Sequence, residues 1–193
     1  MLGHTHVVIA GVSWAAVWWR PLEIGRLALM APEAPIGAGL PPVVSTLALV
    51  ALGALVPDLD HPGAFLAQFR PAGRQGFGRF FRPFFAPSVA LRSALGHRGA
   101  LHSLVGAALI CAGVELVARS GGLSGVGAAV GWGYVTHLLA DMATRRGVPL
   151  LWPLAHWRFS VPRPLTVKTG SFGEALYLAA VSALAALHGA GVF

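Results

Sequence analysis

Residues 43–61 read VVSTLALVALGALVPDLDH, an apolar run that ends in a proline, two aspartates and a histidine. Pro41 and Pro42 suit the first turn of a helix, and the next proline suits its end. Alternate residues of an extended or turn segment point the same way, so Asp58 and Asp60 can reach one centre. A bound divalent cation would remove the repulsion between these carboxylates. The stretch therefore predicts a membrane helix that ends in metal ligands, and helix capping by one aspartate is the simpler alternative.

The whole chain shares this apolar character. It has 193 residues, of which 55% are hydrophobic and 11% charged, and its mean hydropathy is +0.68. Soluble domains rarely combine such values, so we expect an integral membrane protein. Because no linker, long charge run or internal repeat divides the sequence, residues 1–193 are predicted to form a single domain. Cys111 is the only cysteine, which excludes an internal disulfide and a cysteine-rich zinc site.

The hydropathy pattern predicts an all-α fold, a multi-pass transmembrane bundle of about five apolar helices. Some of the apolar segments are shorter than the ~20 residues of a standard span, so these would thin the bilayer or enter it only partway. Gly121 and Gly122 predict a tight turn between the third and fourth segments, which therefore form a hairpin. The five segments are residues 6–19, 43–56, 101–118, 123–140 and 174–192.

Two connections between these segments are rich in basic residues. Residues 62–100 hold six arginines, seven phenylalanines and no acid, which is typical of an interfacial segment in the lipid headgroup layer. A disordered basic loop is the alternative. Residues 142–172 hold five basic residues and two tryptophans, which again suits a membrane interface. Because basic loops stay cytoplasmic, this pattern places the N-terminus inside and the C-terminus outside.

The net charge of +7 raises the question of a nucleic-acid partner. The basic residues are scattered between apolar segments and lack the helix, finger or aromatic sheet that a nucleic-acid-binding module needs. We therefore expect the lipid bilayer, and no nucleic acid, as a partner.

Histidines and aspartates form four clusters at segment ends, and all four clusters lie on the side that the charge pattern places at the cytoplasm. His137 and Asp141 lie four residues apart, so a helix presents both on one face, where they can share one ion. His97 and His102 can converge through a bend at Gly99. A single buried histidine or aspartate is more often structural than a ligand. Ionisable groups near a bilayer are rare, however, so several of them together favour a functional site. The predicted metal ligands are His6, Asp58, Asp60, His61, His97, His102, His137 and Asp141.

Eight ligands exceed the three that an open mononuclear zinc site uses. They suit two divalent cations ~3.5 to 4 Å apart, with zinc favoured and manganese or iron as alternatives. Such a pair clamps a phosphoester and activates a bridging water. Arg98 would stabilise charge on the phosphoryl oxygens, although its simpler role is to anchor a lipid headgroup. Asp60 is the second residue that we expect to act in catalysis.

Two further residues could join the site. His4 competes with His6, although the apolar run that follows favours His6. Glu174 fits a capping box with Ser171 at the start of the last helix, and this explains the carboxylate better than metal ligation does. The sequence leaves the participation of His4 and Glu174 open.

Three stretches resemble a known family. They are LVPDLDHP at residues 55–62, GHRGALHS at 96–103 and GYVTHLLADMATRRGVPLLWP at 133–153. They are similar to the motifs of the LexA-regulated, inner-membrane metal-dependent hydrolases, the YdjM-like proteins. The resemblance implies a multi-pass protein of the bacterial inner membrane with hydrolase activity. A fainter similarity links the ligand set to zinc-dependent phospholipase C, although Met1 stands where that group has a tryptophan ligand.

The residues and the resemblance together predict a membrane-embedded metal-dependent hydrolase. It would cleave the phosphoester of a phospholipid or another lipid phosphate at the cytoplasmic face. A metal-ion transporter or sensor is the alternative, but transport needs ligands near mid-membrane on a path with two exits. A structural protein whose histidines only form hydrogen bonds is the third possibility, and it predicts stability without metal. Neither the substrate nor the oligomeric state can be inferred from the sequence.

Overall fold

The computed structural model describes residues 1–24, 27–29, 31, 41–60 and 99–192. Across these ranges the chain is mostly helical, which confirms the helical character of the predicted fold. We number the α-helices of the described ranges in chain order, and each overlaps one of the predicted apolar segments. They are α1 (Gly3–Trp19), α2 (Pro42–Leu55), α3 (Leu104–Ser120), α4 (Val126–Met142) and α5 (Phe172–Gly189).

A short β-hairpin follows α1 and is absent from the all-α prediction. Strand β1, Leu22–Ile24, pairs antiparallel with strand β2, Leu27–Leu29. The β1 residues alternate between apolar and polar, as residues of a strand do. Three residues are too few to distinguish a strand from a loop by this pattern.

Local sequence explains how α2 and α3 begin. Pro42 occupies the first turn of α2, where a backbone N–H would have no helical partner. The helix continues directly into a 3-10 helix, Val56–Asp60. A second 3-10 turn, Ala100–His102, precedes α3. The Ser103 hydroxyl then accepts the Gly106 N–H at 3.0 Å and caps α3.

Helices α3 and α4 form the predicted hairpin. Its turn holds Gly122 and Gly125 in the left-handed region, with φ of 78° and 79°. Glu115 of α3 reaches across the turn and accepts the N–H groups of Gly125 and Gly127, at 3.2 and 2.8 Å. It also accepts a hydrogen bond from Arg119 at 2.9 Å. Because these bonds satisfy amides at the start of α4, Glu115 is a structural residue of the hairpin.

Helix α4 is central and contacts α1, α2 and α3. Glycines allow α2 and α4 to approach closely. A Cβ atom on Gly53 would overlap the Val130 carbonyl, and one on Gly133 would overlap the Val50 carbonyl. Small residues at such crossings are typical of membrane helices. The same packing brings Ala54, near the C-terminal end of α2, against His137 in the second half of α4.

The outer helices expose apolar side chains. Leu116 of α3 is 72% exposed, and Leu176 and Leu184 of α5 are each 56% exposed. Exposed apolar faces favour contact with lipid. Two of the described segments, Pro42–Leu59 and Phe172–Gly189, are long and apolar enough to cross a bilayer. The five-span arrangement and the orientation of the termini stay predictions.

Candidate metal centre

Five predicted ligands meet in one group, which we call the His/Asp cluster. They come from α1, from the 3-10 helix after α2, from the turn before α3 and from α4. The cluster consists of His6, Asp58, His102, His137 and Asp141. Its imidazoles and the Asp141 carboxylate are at most 1% exposed, whereas the Asp58 side chain is 22% exposed. Asp58 therefore marks the open side of the cluster.

Two overlapping triads in the cluster have the spacing of a metal site. The first is His6, His137 and Asp141, and the second is Asp58, His102 and His137. In each triad, one ligand atom per residue lies within 4.8 Å of the others. His137 belongs to both triads, but its single free ring nitrogen can bind only one ion. The five residues therefore suit one shared ion, or two ions of which His137 binds one.

The separations between ligand atoms agree with a shared ion. His6 Nε2 lies 3.4 Å from Asp141 Oδ1, and His102 Nε2 lies 3.7 Å from Asp58 Oδ1. His102 Nε2 to Asp141 Oδ2 and His137 Nε2 to Asp58 Oδ1 are each 3.9 Å. The longer distances exceed those of hydrogen bonds. Two ligands each ~2.1 Å from a tetrahedral ion stand ~3.4 Å apart, so the observed spacing is close to that of zinc ligands.

His137 shows which of its nitrogens faces the cluster. Its Nδ1 lies 2.7 Å from the Ala54 carbonyl oxygen. A carbonyl can only accept, so Nδ1 carries the proton and Nε2 of the neutral ring keeps its lone pair. Metal-binding histidines are commonly held in this way. The His6 ring stacks on His137 with centroids 3.7 Å apart, which disfavours a charge on both rings.

Several buried nitrogens of the cluster have no hydrogen-bond partner among the residues that the structure describes. They are Nδ1 and Nε2 of His6, Nδ1 and Nε2 of His102, and Nε2 of His137. Burial of one such atom without a partner costs about 1 to 3 kcal/mol, and native proteins rarely leave several together. A divalent cation would bind one nitrogen of each of the three rings, so the residues present fit a metal.

Contacts that no motif indicated also position the cluster. The Tyr134 hydroxyl donates a hydrogen bond to the carbonyl of Leu101, the residue before His102. The amino group of Met1 lies 2.6 Å from Asp141 Oδ1. Both contacts join residues that are remote in sequence, so spacing along the chain contains no signal for them.

The capping box predicted at the start of α5 is wrong in its partners. The Ser171 hydroxyl donates to the Lys168 carbonyl at 2.6 Å instead of capping the helix. Glu174 is buried, and its carboxylate accepts the Gly170 N–H at 2.6 Å and the Leu2 N–H at 2.7 Å. Glu174 therefore ties the start of α1 to α5. Capping rules do not predict this contact, because they consider only neighbouring residues.

The other predicted site residues are placed as follows. His4 is exposed on α1, whereas His6 faces the cluster. The backbone of Asp60 belongs to the 3-10 helix, and its side chain lies outside the description. Three predicted residues fall outside the described ranges, and they are His61, His97 and Arg98.

Comparisons with known proteins agree with the motifs. The YdjM inner membrane protein family model matches residues 1–192. Inner membrane protein YdjM of Escherichia coli (strain K12) is 38% identical over 113 residues, which cover 58% of this chain and 50% of the relative. Inner membrane protein YdjM of Shigella flexneri gives the same values. Uncharacterized protein YvsG of Bacillus subtilis (strain 168) is 31% identical over 132 residues, 68% of this chain and 70% of the relative.

No solved structure matches the chain. The match spans about half the length of the two YdjM relatives. The family model, in contrast, covers nearly the whole chain. The chain therefore belongs to the YdjM inner membrane protein family.

Proposed function

We propose that this chain is a membrane-embedded metal-dependent hydrolase that cleaves a phosphoester of a lipid at the cytoplasmic face of the inner membrane. The observation that carries the proposal is the state of His137. Its Nδ1 is fixed on the Ala54 carbonyl, while Nε2 faces Asp58 and has no hydrogen-bond partner in the described part of the chain. The neighbouring imidazoles and carboxylates are the groups that bind zinc in proteins.

The ligand set supports at least one zinc ion. Asp58, His102 and His137 form a three-residue set, and such sets leave one coordination position for water or substrate. His6 and Asp141 would serve a second ion together with predicted ligands outside the described ranges. Two zinc ions are therefore our proposal, with manganese or iron as alternatives. When bound, zinc lowers the pKa of its water and polarises phosphoryl oxygens.

The protein's own groups would orient these ligands and exclude bulk water. The Ala54 carbonyl holds the His137 ring in one tautomer, so that Nε2 needs no rearrangement to bind. Asp58 lies at the open side, where a substrate can approach. We propose Asp60 and Arg98 as the catalytic residues, with Arg98 holding a phosphoryl oxygen through its planar fork of donors.

Metal content and hydrolysis of the purified protein test the proposal. We expect one to two equivalents of zinc, and hydrolysis of a member of a panel of phospholipids and isoprenoid phosphates. His137→Ala should lose the ion that its Nε2 binds, and hydrolysis with it, and keep its helical content by circular dichroism. His4→Ala is the matched control, since this exposed histidine lies on α1 close to His6, and it should keep both.

The outcomes separate the three functions considered. Metal binding with no hydrolysis of any phosphoester would favour the metal-ion transporter or sensor. A protein that is purified without metal and takes up none on dialysis against zinc, manganese or iron would refute both metal-dependent functions. Of the three functions considered, that result would leave only a structural role in the membrane.

A further inference from the structure

A cavity of about 570 Å³ lies between the segment that follows α4 and the segment that precedes α5. It is lined by Arg145, Ser160, Arg163 and Thr166. Arg145, Ser160 and Arg163 carry side-chain donors for an anion, whereas the Thr166 hydroxyl already donates to the Arg163 carbonyl at 2.8 Å. The two guanidinium groups are permanent cations. We propose that this cavity binds a phosphate-bearing anion and selects the phosphate group of the lipid substrate. The substrate role rests on the proposed function, whereas anion binding itself does not.

No acidic residue in this part of the sequence balances the two arginines. Residues 142–173 contain five basic residues and neither aspartate nor glutamate. Among the described residues, the ion pairs involve other groups, and none includes Arg145 or Arg163. Two cations beside one cavity repel each other, and an anion bound between them relieves the repulsion. Because guanidinium matches phosphate with two parallel hydrogen bonds, phosphate is the anion that this lining fits best.

Backbone hydrogen bonds hold the two walls of the cavity together. The Val161 N–H donates to the Met142 carbonyl at 3.0 Å, and the Val167 N–H donates to the Ala143 carbonyl at 2.8 Å. The donors of the cavity are therefore carried by a preformed frame. A preformed site loses less conformational entropy on binding than two free loops would.

The same frame connects the cavity to the His/Asp cluster. Arg145 follows Asp141 by four residues, and the Thr144 hydroxyl donates to the Asp141 carbonyl at 2.7 Å. A volume of about 570 Å³ is within the ~300 to 1,000 Å³ range of ligand pockets. The cavity can thus hold a phosphate together with a small headgroup. Arg145 and Arg163 are exposed, so the anion could come from the headgroup layer or from solution.

Binding measurements on the full chain in detergent at physiological salt test this site. The probes are short-chain phosphatidic acid, the matching diacylglycerol without phosphate, and inorganic phosphate. The double variant Arg145→Gln with Arg163→Gln should bind phosphatidic acid at least tenfold more weakly. The double variant Arg146→Gln with Arg158→Gln removes the same charge from the same segment outside the lining, and it should change affinity less than twofold.

The probes also identify the source of the anion. Tighter binding of phosphatidic acid than of inorganic phosphate supports a lipid headgroup, and equal binding supports a free phosphate. Diacylglycerol should not bind at the cavity in either case. Equal losses in the two double variants would overturn the site, because general attraction to positive charge would explain them. Equal affinity of wild type for phosphatidic acid and diacylglycerol would overturn it as well.

His137→Ala separates this inference from the proposed function. The variant should lose the ion that His137 binds and keep its affinity for the anion, because none of the cavity residues belongs to the His/Asp cluster. If no form of the protein binds metal but the wild type still binds the anion, the proposed function is refuted and the anion-binding site is supported.

Discussion

At the scale of single residues, Asp58 and Glu115 are carboxylates near opposite ends of α4, and we assign them different roles. Asp58→Asn keeps the size of the side chain and removes its charge. Because Asp58 Oδ1 lies 3.7 Å from His102 Nε2 and 3.9 Å from His137 Nε2, we expect the variant to bind zinc at least about tenfold more weakly. The thermal unfolding of the metal-free protein should change little. Metal titration and thermal scans measure the two effects.

Glu115→Gln is the matched control for this substitution. It should keep its full metal content and unfold at a lower temperature. The N–H groups of Gly125 and Gly127 bind different carboxylate oxygens, and an amide offers only one acceptor oxygen. Equal metal affinity in Asp58→Asn and Glu115→Gln would contradict the assignment of Asp58 as a ligand.

Residues could be predicted from the sequence more easily than their contacts. His137 and Asp141 could be paired because they lie four residues apart on one helix. The bond from His137 to the Ala54 carbonyl could not be predicted, because it depends on how α2 and α4 cross. The contact between Glu174 and Leu2 joins residues 172 positions apart, and no local rule contains it.

At the scale of elements, the crossing of α2 and α4 decides whether the His/Asp cluster can form. A Cβ atom on Gly133 would overlap the Val50 carbonyl, so Gly133→Ala should reduce the free energy of unfolding by about 1 to 3 kcal/mol. Gly133 lies one helical turn before His137, so a displacement of α4 from α2 should also move His137 and weaken zinc binding. Denaturant titration and metal titration check the two expectations.

Gly113→Ala supplies the control for the crossing. A Cβ atom at Gly113 of α3 would have no neighbour within 4 Å, so this variant should be neutral or more stable, because alanine favours a helix over glycine. If both variants lose the same stability, close packing of α2 on α4 is not the cause.

Helix α1 is held at its start by one carboxylate of α5. Glu174→Ala removes the acceptor of the Leu2 N–H and of the Gly170 N–H. We expect faster hydrogen exchange in the first turn of α1 and weaker zinc binding, because His6 depends on this turn. Glu174→Gln retains an acceptor oxygen and should recover part of both. Unchanged exchange in Glu174→Ala would show that α1 is held by other contacts.

The helices could be predicted closely because each apolar run is bounded by prolines, glycines or polar residues. The segment predicted at 43–56 is the helix Pro42–Leu55. The β-hairpin of Leu22–Ile24 and Leu27–Leu29 could not be predicted in this way, since its strands have three residues each and depend on pairing with each other. The type of an element can thus be predicted from the sequence where many consecutive residues repeat one pattern.

At the scale of the whole molecule, the charge of the connections predicts how the chain lies in the inner membrane. If residues 62–100 and 142–172 are cytoplasmic, five crossings place the N-terminus inside and the C-terminus outside. A reporter that is active only outside the membrane should therefore work when fused after residue 193, and one that is active only inside should work at the N-terminus. The opposite pattern would contradict the predicted orientation, and both ends on one side would contradict the five-span arrangement.

The His/Asp cluster joins four parts of the chain that are distant in sequence, so a bound ion should stabilise the whole fold. An ion that binds only the folded state adds ~2.7 kcal/mol when its free concentration is about 100 times Kd. We therefore expect a chelator to lower the melting temperature of the purified protein and zinc to restore it. Scanning calorimetry in detergent, with and without chelator, measures the shift.

His137→Ala decides what such a shift means. This variant removes the nitrogen that both triads share, so a chelator should lower its melting temperature less than that of the wild type. A shift of equal size in wild type and His137→Ala would assign the metal to another site. If the chelator has no effect on wild type, the five cluster residues do not hold a metal that stabilises the fold. Their buried nitrogens would then need another ligand, since several of them have no hydrogen-bond partner in the described part of the chain.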